Sequence, residues 1–375
     1  MTSGAATDAH TFTTRAPGKL FIAGEYAVVE PGGCAVVVAV DRFVTVRATD
    51  ATQNSLTSGH YGAHPVRWRR DGDGVSVEPG EGGARPFDAA IAALDTVEAF
   101  AVASGRPERP LALEIDSDLD HVSGAKFGLG SSGAVVVALV RALGLAHDLA
   151  LDDATVLKLA LLATWRVNPS GSGGDIAAST LGGWVDYRST DARAVLARLP
   201  LVGIAALVAE PWPGLRAEPL PVPAGLELLV GWTGSPASTA SLVASSRVGR
   251  GSSDDEFRAF CAESNTTVGE LVDALREGDR GGVAFGIRRA RAALAVHAEL
   301  SGIEIETPAL AALCDIAERH GAAAKSSGAG GGDCGIALAG PAVDRAALFA
   351  EWVGAGIRPL DLRVAASTSG DSLSE

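Results

Sequence analysis

The feature that most constrains this chain is a glycine-serine loop that runs straight into an apolar helix, Gly128 to Ala134 (GLGSSGA) followed by Val135 to Leu143. Glycines let successive backbone N–H groups turn toward one anion, and the helix N-terminus adds roughly half a positive charge. Ser131 and Ser132 add hydroxyls suited to phosphate or magnesium. The segment is no Walker A loop, because G-x-x-x-x-G-K-[ST] is absent. Nor is it a dinucleotide fingerprint, because the G-x-G-x-x-G spacing fails and no strand immediately precedes it. An ordinary serine-capped helix behind a flexible loop would use the same residues, so this segment alone leaves both readings open.

Other segments point the same way. Lys325 to Leu338 (KSSGAGGGDCGIAL) is a second glycine loop, here between strands, with Gly328, Gly330, Gly331 and Gly332 open to close approach by a ligand. A flexible hairpin would account for the glycines but not for the Lys-Ser-Ser lead-in. Ala16 to Tyr26 (APGKLFIAGEY) is read as placing Lys19 in a turn after the first strand, with Glu25 and Tyr26 following a glycine. In Asn168 to Thr180 (NPSGSGGDIAAST), Asp175 opens a short helix close to Ser172. It serves there either as a helix cap or as a carboxylate beside a nucleophile, and spacing does not separate the two. In Val230 to Val243, Thr233, Ser238 and Thr239 stand where a strand leads into a helix. They can cap that helix or bind a carboxylate or hydroxyl.

Charge sharpens the picture. Net charge is −14, which argues against nucleic acid or an anionic membrane as partner, since both need a basic face. If the ligands are phosphates, positive charge must be concentrated locally. Of 31 basic residues only four are lysine: Lys19, Lys126, Lys158 and Lys325. Three of them, Lys19, Lys126 and Lys325, lie in or beside glycine-rich segments. A lysine ammonium is a compact point charge suited to a transferring phosphoryl group.

The 375 residues suffice for two domains of roughly 100–200 residues each. No run reaches the roughly 18 apolar residues of a membrane span, and the start has no signal-peptide pattern. Cys34, Cys261, Cys314 and Cys334 are scattered, without zinc-ligand spacing, so a reducing cytoplasm is expected. Strands are expected at Thr11 to Arg15 and Ala35 to Ala48, with loops from Thr49 to Pro86 around one short strand near Pro65 to Trp68. Helical periodicity covers Phe87 to Ser104, and Asp152 caps a helix running to about Trp165. Prolines and arginines cluster between Tyr187 and Pro223, which places the division between domains 1–195 and 196–375. Helices at Ser238 to Ser246, Asp254 to Arg276, Arg280 to His297 and Pro308 to His320 fill the second half. Mixed strands with helices in both halves predict two α+β layered domains and not a doubly wound sheet.

The order APGKLFIAGEY, KFGLGSSGAVVVALVRAL, GSGGDIAAST, VGWTGSPAST, AKSSGAGGGDCGIAL, spread from about Arg15 to Leu338, resembles the GHMP kinases. Lys126 two residues before Gly128, the strand end VGWT and the lead-in AKSSGAGGGDCG are most similar to the bacterial branch that acts on phosphomevalonate. The resemblance implies an α+β, two-domain GHMP kinase fold: a first domain like the second domain of ribosomal protein S5 and a ferredoxin-like second domain. It implies ATP and Mg2+ as cofactors and 5-phosphomevalonate as acceptor, meeting between the domains. It also implies roles for residues. Lys126, Gly128, Leu129, Gly130, Ser131, Ser132 and Gly133 would hold the ATP phosphates, with Ser132 toward magnesium. Lys19 and Asp175 would stand at the transferring phosphoryl group. Glu25, Tyr26, Ser172, Thr239, Ser327, Gly328 and Ala329 would line the acceptor side. Two departures from wider family patterns are visible. Gly124 stands where many members carry proline, and no glutamate occurs between Ala150 and Asn168, where mevalonate kinases carry a magnesium ligand. The rival readings are a mevalonate kinase, a diphosphomevalonate decarboxylase, or a ligand sensor on the same scaffold. The last requires a lost lysine, aspartate or loop, and all three are intact.

Overall fold

The computed structural model describes residues 9–59, 62–72, 74–78, 87–119, 127–234 and 254–366. Lys126, Thr239 and the expected helix at Ser238 to Ser246 lie outside the described residues.

The first domain is built on β2 (Cys34–Asp50), a strand whose run of valines and alanines is buried on both faces. Such a continuous apolar run suits a strand covered on both sides and not an alternating half-exposed one. One flank of β2 pairs with β1 (Thr11–Ala23), and its two halves pair with β6 (Leu111–Ser117) and β7 (Trp184–Arg188). Beyond β6 the sheet continues through β3 (Ser55–Ser58), β4 (Gly62–Asp71) and β5 (Gly74–Val77), and beyond β7 through β8 (Arg216–Leu220). Among its helices are α1 (Asp88–Ala103), α2 (Ser131–Ala146), α3 (Asp153–Val167) and α4 (Gly174–Leu181). Helix α2 is apolar almost all round, and Val136 to Val140 are buried without exception. A helix hydrophobic on every face must be central, and α2 packs between β1 and β2 on one side and α1 and α3 on the other.

The second sheet runs β10 (Ala323–Ser326), β11 (Cys334–Ala339), β9 (Glu227–Trp232), β12 (Arg358–Leu360), antiparallel throughout. In chain order that is 4-1-3-2, read from the β12 edge, the arrangement expected of a ferredoxin-like domain. Among the described residues, three helices lie between β9 and β10: α7 (Asp254–Glu277), α8 (Arg280–Ser301) and α9 (Pro308–Arg319). Helix α10 (Arg345–Gly354) joins β11 to β12. The two-domain α+β expectation therefore holds.

Three expectations change. Strand β1 does not stop at Arg15. It runs on to Ala23, with register shifts between Pro17 and Gly18 and between Phe21 and Ala23. Pro-Gly reads as a turn in sequence, but here it is a bulge that bends a strand without ending it. Lys19 consequently sits in a strand between two irregularities. The polar stretch after Thr49 carries three strands, β3, β4 and β5. The domain division at 195/196 falls inside helix α5 (Ala192–Val202), and this helix, α6 (Ile204–Ala209) and β8 all belong to the first domain. Trp212 packs on Trp165 of α3 at 5.8 Å between ring centroids. The change of sheet comes after Leu220. The C-terminal segment then returns to the first domain, where Asp41 N–H donates to the Arg363 carbonyl and Ala365 N–H to the Ala39 carbonyl.

Candidate active site

The two bulges of β1 push Lys19 against the glycine-serine loop. Its backbone N–H donates to the Leu129 carbonyl at 2.8 Å, and its Nζ donates to the Gly128 carbonyl at 3.2 Å. Gly130 is the N-cap of α2 and adopts a left-handed backbone, φ 77°. Having no side chain, Gly130 cannot accept the first-turn amides of α2, which remain available to an anion. A Cβ at Gly130 would lie 2.8 Å from Lys19 Cε. Ser131 is half-buried and Ser132 exposed at the head of the helix, while Leu129 and Gly133 are buried.

Helix α4 brings Asp175 to the same place. A Cβ at Gly133 would lie 2.7 Å from Asp175 Oδ2, so the carboxylate rests on the first turn of α2. Helix α4 is tied to β1 by Ser179, whose hydroxyl donates to the Pro17 carbonyl at 2.7 Å. Lys19 and Asp175 therefore flank one helix start, Lys19 at Gly130 and Asp175 at Gly133. Ser172 lies just before α4, and its carbonyl accepts from the Tyr187 hydroxyl at 2.8 Å. Burial, and secondarily the Asp175 charge, raise the Tyr187 phenol far above its ordinary pKa, so it stays a neutral donor.

The second domain supplies the β10–β11 loop, pinned to the first domain at three consecutive residues. Phe21 N–H donates to Ser327 Oγ, whose hydroxyl donates back to the Phe21 carbonyl, both at 2.9 Å. Gly328 N–H donates to Glu25 Oε1 at 3.3 Å. The Tyr26 hydroxyl donates to the Ala329 carbonyl at 2.5 Å, and burial raises its phenol pKa. Glu25, Tyr26, Ser327 and Ala329 are buried, and only Gly328 of this group keeps a partly open face. Four of the residues expected to line the acceptor side are therefore spent on holding the loop, because each has a buried partner across the domain seam.

Two further lysine and glycine expectations are corrected. Lys325 does not offer a free ammonium to a phosphate. It is fully buried and ion-paired with Glu25. Gly330 turns away from the glycine-serine loop: a Cβ there would meet the Ile305 carbonyl, and Gly331 N–H donates to that same carbonyl at 2.8 Å. What reaches the loop from this side is the end of the glycine run. A Cβ at Gly128 would lie 2.6 Å from Asp333 Oδ2, and the Cys334 thiol donates to the Phe127 carbonyl at 3.1 Å. Thr233 serves as an anchor for this turn, with its N–H and hydroxyl both donating to the Asp333 carbonyl, at 2.9 and 3.1 Å. Asp333 escaped sequence reading. The available signal was one charged residue closing a run of glycines.

Hydroxyls of Ser131 and Ser132 and carboxylates of Asp175 and Asp333 surround the loop. Oxygen donors of this kind, used together with substrate phosphates, suit a hard divalent cation. The residues present thus fit a magnesium–nucleotide complex.

Comparison with known proteins agrees with this geometry. The family model for the GHMP kinases N terminal domain matches residues 90–183, and that for GHMP kinases C terminal matches residues 271–356. A phosphomevalonate kinase of Streptomyces sp. (strain CL190) is 44% identical over 368 residues, covering 95% of this chain and 98% of the relative. The solved structure of a Lin0012 protein from Listeria innocua is 34% identical, with a TM-score of 0.88 over 96% of this chain and 100% of that one. Streptococcus pneumoniae phosphomevalonate kinase, solved in complex with phosphomevalonate and AMPPNP, is 28% identical, with a TM-score of 0.81 over 94% of this chain and 99% of that one. With a lysine and an aspartate set against one glycine-serine loop, and with this likeness along nearly the whole chain, the protein belongs to the GHMP kinase family.

Proposed function

We propose that this chain is an ATP-dependent phosphotransferase that moves the γ-phosphoryl group of ATP onto the phosphate of 5-phosphomevalonate, giving 5-diphosphomevalonate and ADP. The observation that carries this reading is the 44% identity to a phosphomevalonate kinase over 95% of the chain, joined to the seating of Lys19 and Asp175 on the glycine-serine loop. No described helix is long and apolar enough to cross a membrane, and we place the reaction in the cytoplasm.

Phosphoryl transfer passes through a loose transition state, so catalysis is mostly positioning and charge stabilisation. The amides of residues 130–133 and the hydroxyls of Ser131 and Ser132 hold the nucleotide phosphates. Magnesium, when bound with the nucleotide, neutralises charge on its phosphate oxygens, and Ser132 with the two carboxylates would hold it. Lys19 Nζ, already at the Gly128 carbonyl, stabilises oxygens between donor and acceptor as charge shifts. The acceptor is a phosphate monoester with a second pKa near ~6, largely dianionic at neutral pH. It needs no general base. Asp175 therefore orients Lys19 and the acceptor instead of abstracting a proton. Gly328 and Ser172 face the acceptor side.

The test is incubation of the protein with ATP and, separately, mevalonate, phosphomevalonate and diphosphomevalonate. ADP release with phosphomevalonate alone is expected. Turnover confined to mevalonate or diphosphomevalonate overturns the assignment. Lys19→Ala and Asp175→Asn should both remain folded. Lys19→Ala is expected to lose on the order of 100–1000-fold in turnover. A loss of equal size in Asp175→Asn that tracks deprotonation of the acceptor would make Asp175 a base after all.

A further inference from the structure

Lys19 lies between the two register shifts of β1, one at Pro17/Gly18 and one between Phe21 and Ala23. A serine hydroxyl from another element meets the strand at each shift. Ser327 binds the backbone of Phe21, and Ser179 Oγ donates to the Pro17 carbonyl at 2.7 Å. Ser179 is fully buried, so its bond is shielded from solvent and stronger than an exposed one. It has no surface to offer a substrate. Its place in the chain gives it another use. Ser179 belongs to α4, one helical turn beyond Asp175. One hydrogen bond thus joins the residue two places before Lys19 to the helix that carries Asp175.

Helix α4 also meets β1 at Gly174, where a Cβ would lie 2.9 Å from Phe21 Cζ. That contact is apolar and non-directional, whereas the hydroxyl fixes a distance and an angle. On its other side the bulge leans on the glycine-serine loop, through the Lys19 N–H on the Leu129 carbonyl and the Lys19 Nζ on the Gly128 carbonyl. A shift of Pro17 relative to α4 therefore moves Lys19 relative to Asp175. We propose that Ser179 is a positioning residue, whose hydroxyl sets the spacing of Lys19 and Asp175 by locking the Pro17 bulge to α4. The inference rests on the phosphotransferase reading and on the roles given there to Lys19 and Asp175. Reacting groups are sensitive to such spacing, since a misplacement of about 1 Å can cost on the order of 100-fold in rate.

Steady-state kinetics of the full chain with ATP and phosphomevalonate, beside urea denaturation, test it. Ser179→Ala is expected to lower kcat on the order of 10–100-fold while both KM values stay at wild type. A hydroxyl that only stabilised the fold would lower the urea midpoint and leave the kcat of the folded protein unchanged. Ser179→Thr and Ser179→Val give a second comparison, because both are β-branched and alike in shape and only threonine keeps the hydroxyl. Threonine should turn over faster than valine by a similar factor, even if the alanine variant does not fold. In a Lys19→Ala background, adding Ser179→Ala should cost no more than about twofold, because residues that act as a unit are not additive. Wild-type kcat in folded Ser179→Ala, equal kcat in the threonine and valine variants, or an undiminished loss in the Lys19→Ala background each overturn the inference. If the wild type does not turn over phosphomevalonate, or Lys19→Ala keeps full turnover, the phosphotransferase reading itself fails, and the inference falls with it.

Discussion

Ser327 and Phe21 exchange two hydrogen bonds across the domain seam, the hydroxyl accepting from the Phe21 N–H and donating to its carbonyl, both at 2.9 Å. Phe21 lies at the second register shift of β1. A bulge leaves backbone groups out of the ladder, and one serine hydroxyl satisfies both. Removing it strands a buried donor and a buried acceptor. Ser327→Ala should lower stability by about 2–3 kcal/mol, read as a lower urea midpoint with unchanged slope. A midpoint within error of wild type would mean that water replaces the hydroxyl and that the seam does not depend on it.

Lys325 and Glu25 form a pair with neither side chain more than 3% exposed. Glu25 Oε1 is shared with Gly328 N–H, while Oε2 has no hydrogen-bond partner among the described residues. Deleting one member of such a pair leaves an uncompensated buried charge. Lys325→Met is therefore expected to cost about 3–5 kcal/mol, and Lys325→Met/Glu25→Gln to regain most of that. Denaturation of the two single variants and the double variant measures the coupling. Additive losses in the double variant would show that the residues do not act as a pair.

Much of this arrangement was legible in the sequence, because local patterns carry it. The glycine-serine loop before an apolar run, the strand–glycine–strand of residues 322–339 and the amphipathic helices of the second half are all short-range signals. What escaped depends on partners far along the chain. Pro17-Gly18 has the composition of a turn, and only pairing with β2 turns it into a bulge inside β1. Tyr26 and Ser327 read as ligand-facing polar residues, but their hydroxyls find partners some 300 residues away. Asp333 acquires meaning only once Gly128, distant in sequence, is beneath it.

Gly133→Ala separates stability from activity at the site. Position 133 lies in the first turn of α2, where alanine in place of glycine favours helix by up to ~1 kcal/mol. The new methyl would stand 2.7 Å from Asp175 Oδ2 and 3.0 Å from its Cγ, so the carboxylate must move. Thermal stability should fall by no more than a few degrees or rise, while turnover falls on the order of 100-fold. An active variant would show that the reaction does not need Asp175 where the loop holds it.

The last prediction concerns pH and lies on the helical side of the seam. His297 of α8 is buried, with its ring stacked on Phe260 at 4.3 Å and set against Tyr26 at 5.0 Å. Its Nε2 has no hydrogen-bond partner among the described residues. Burial pushes its pKa down to about 4, whereas the unfolded chain titrates near ~6.5. Above that value both states are neutral and His297 makes no pH-dependent contribution. As pH falls from about 6.5 toward 4, the unfolded chain takes up a proton that the folded protein refuses, so stability drops through this window. Below about 4 the folded protein takes up the proton too, and the loss levels off. His297→Phe keeps an aromatic ring against Phe260 and cannot titrate. Its stability relative to wild type should rise steadily between pH 6.5 and 4 in denaturation experiments, whatever the carboxylates contribute to both proteins. A difference that stays constant across this window would mean that the folded imidazole is protonated as easily as the unfolded one, against its burial among Tyr26, Phe257 and Phe260.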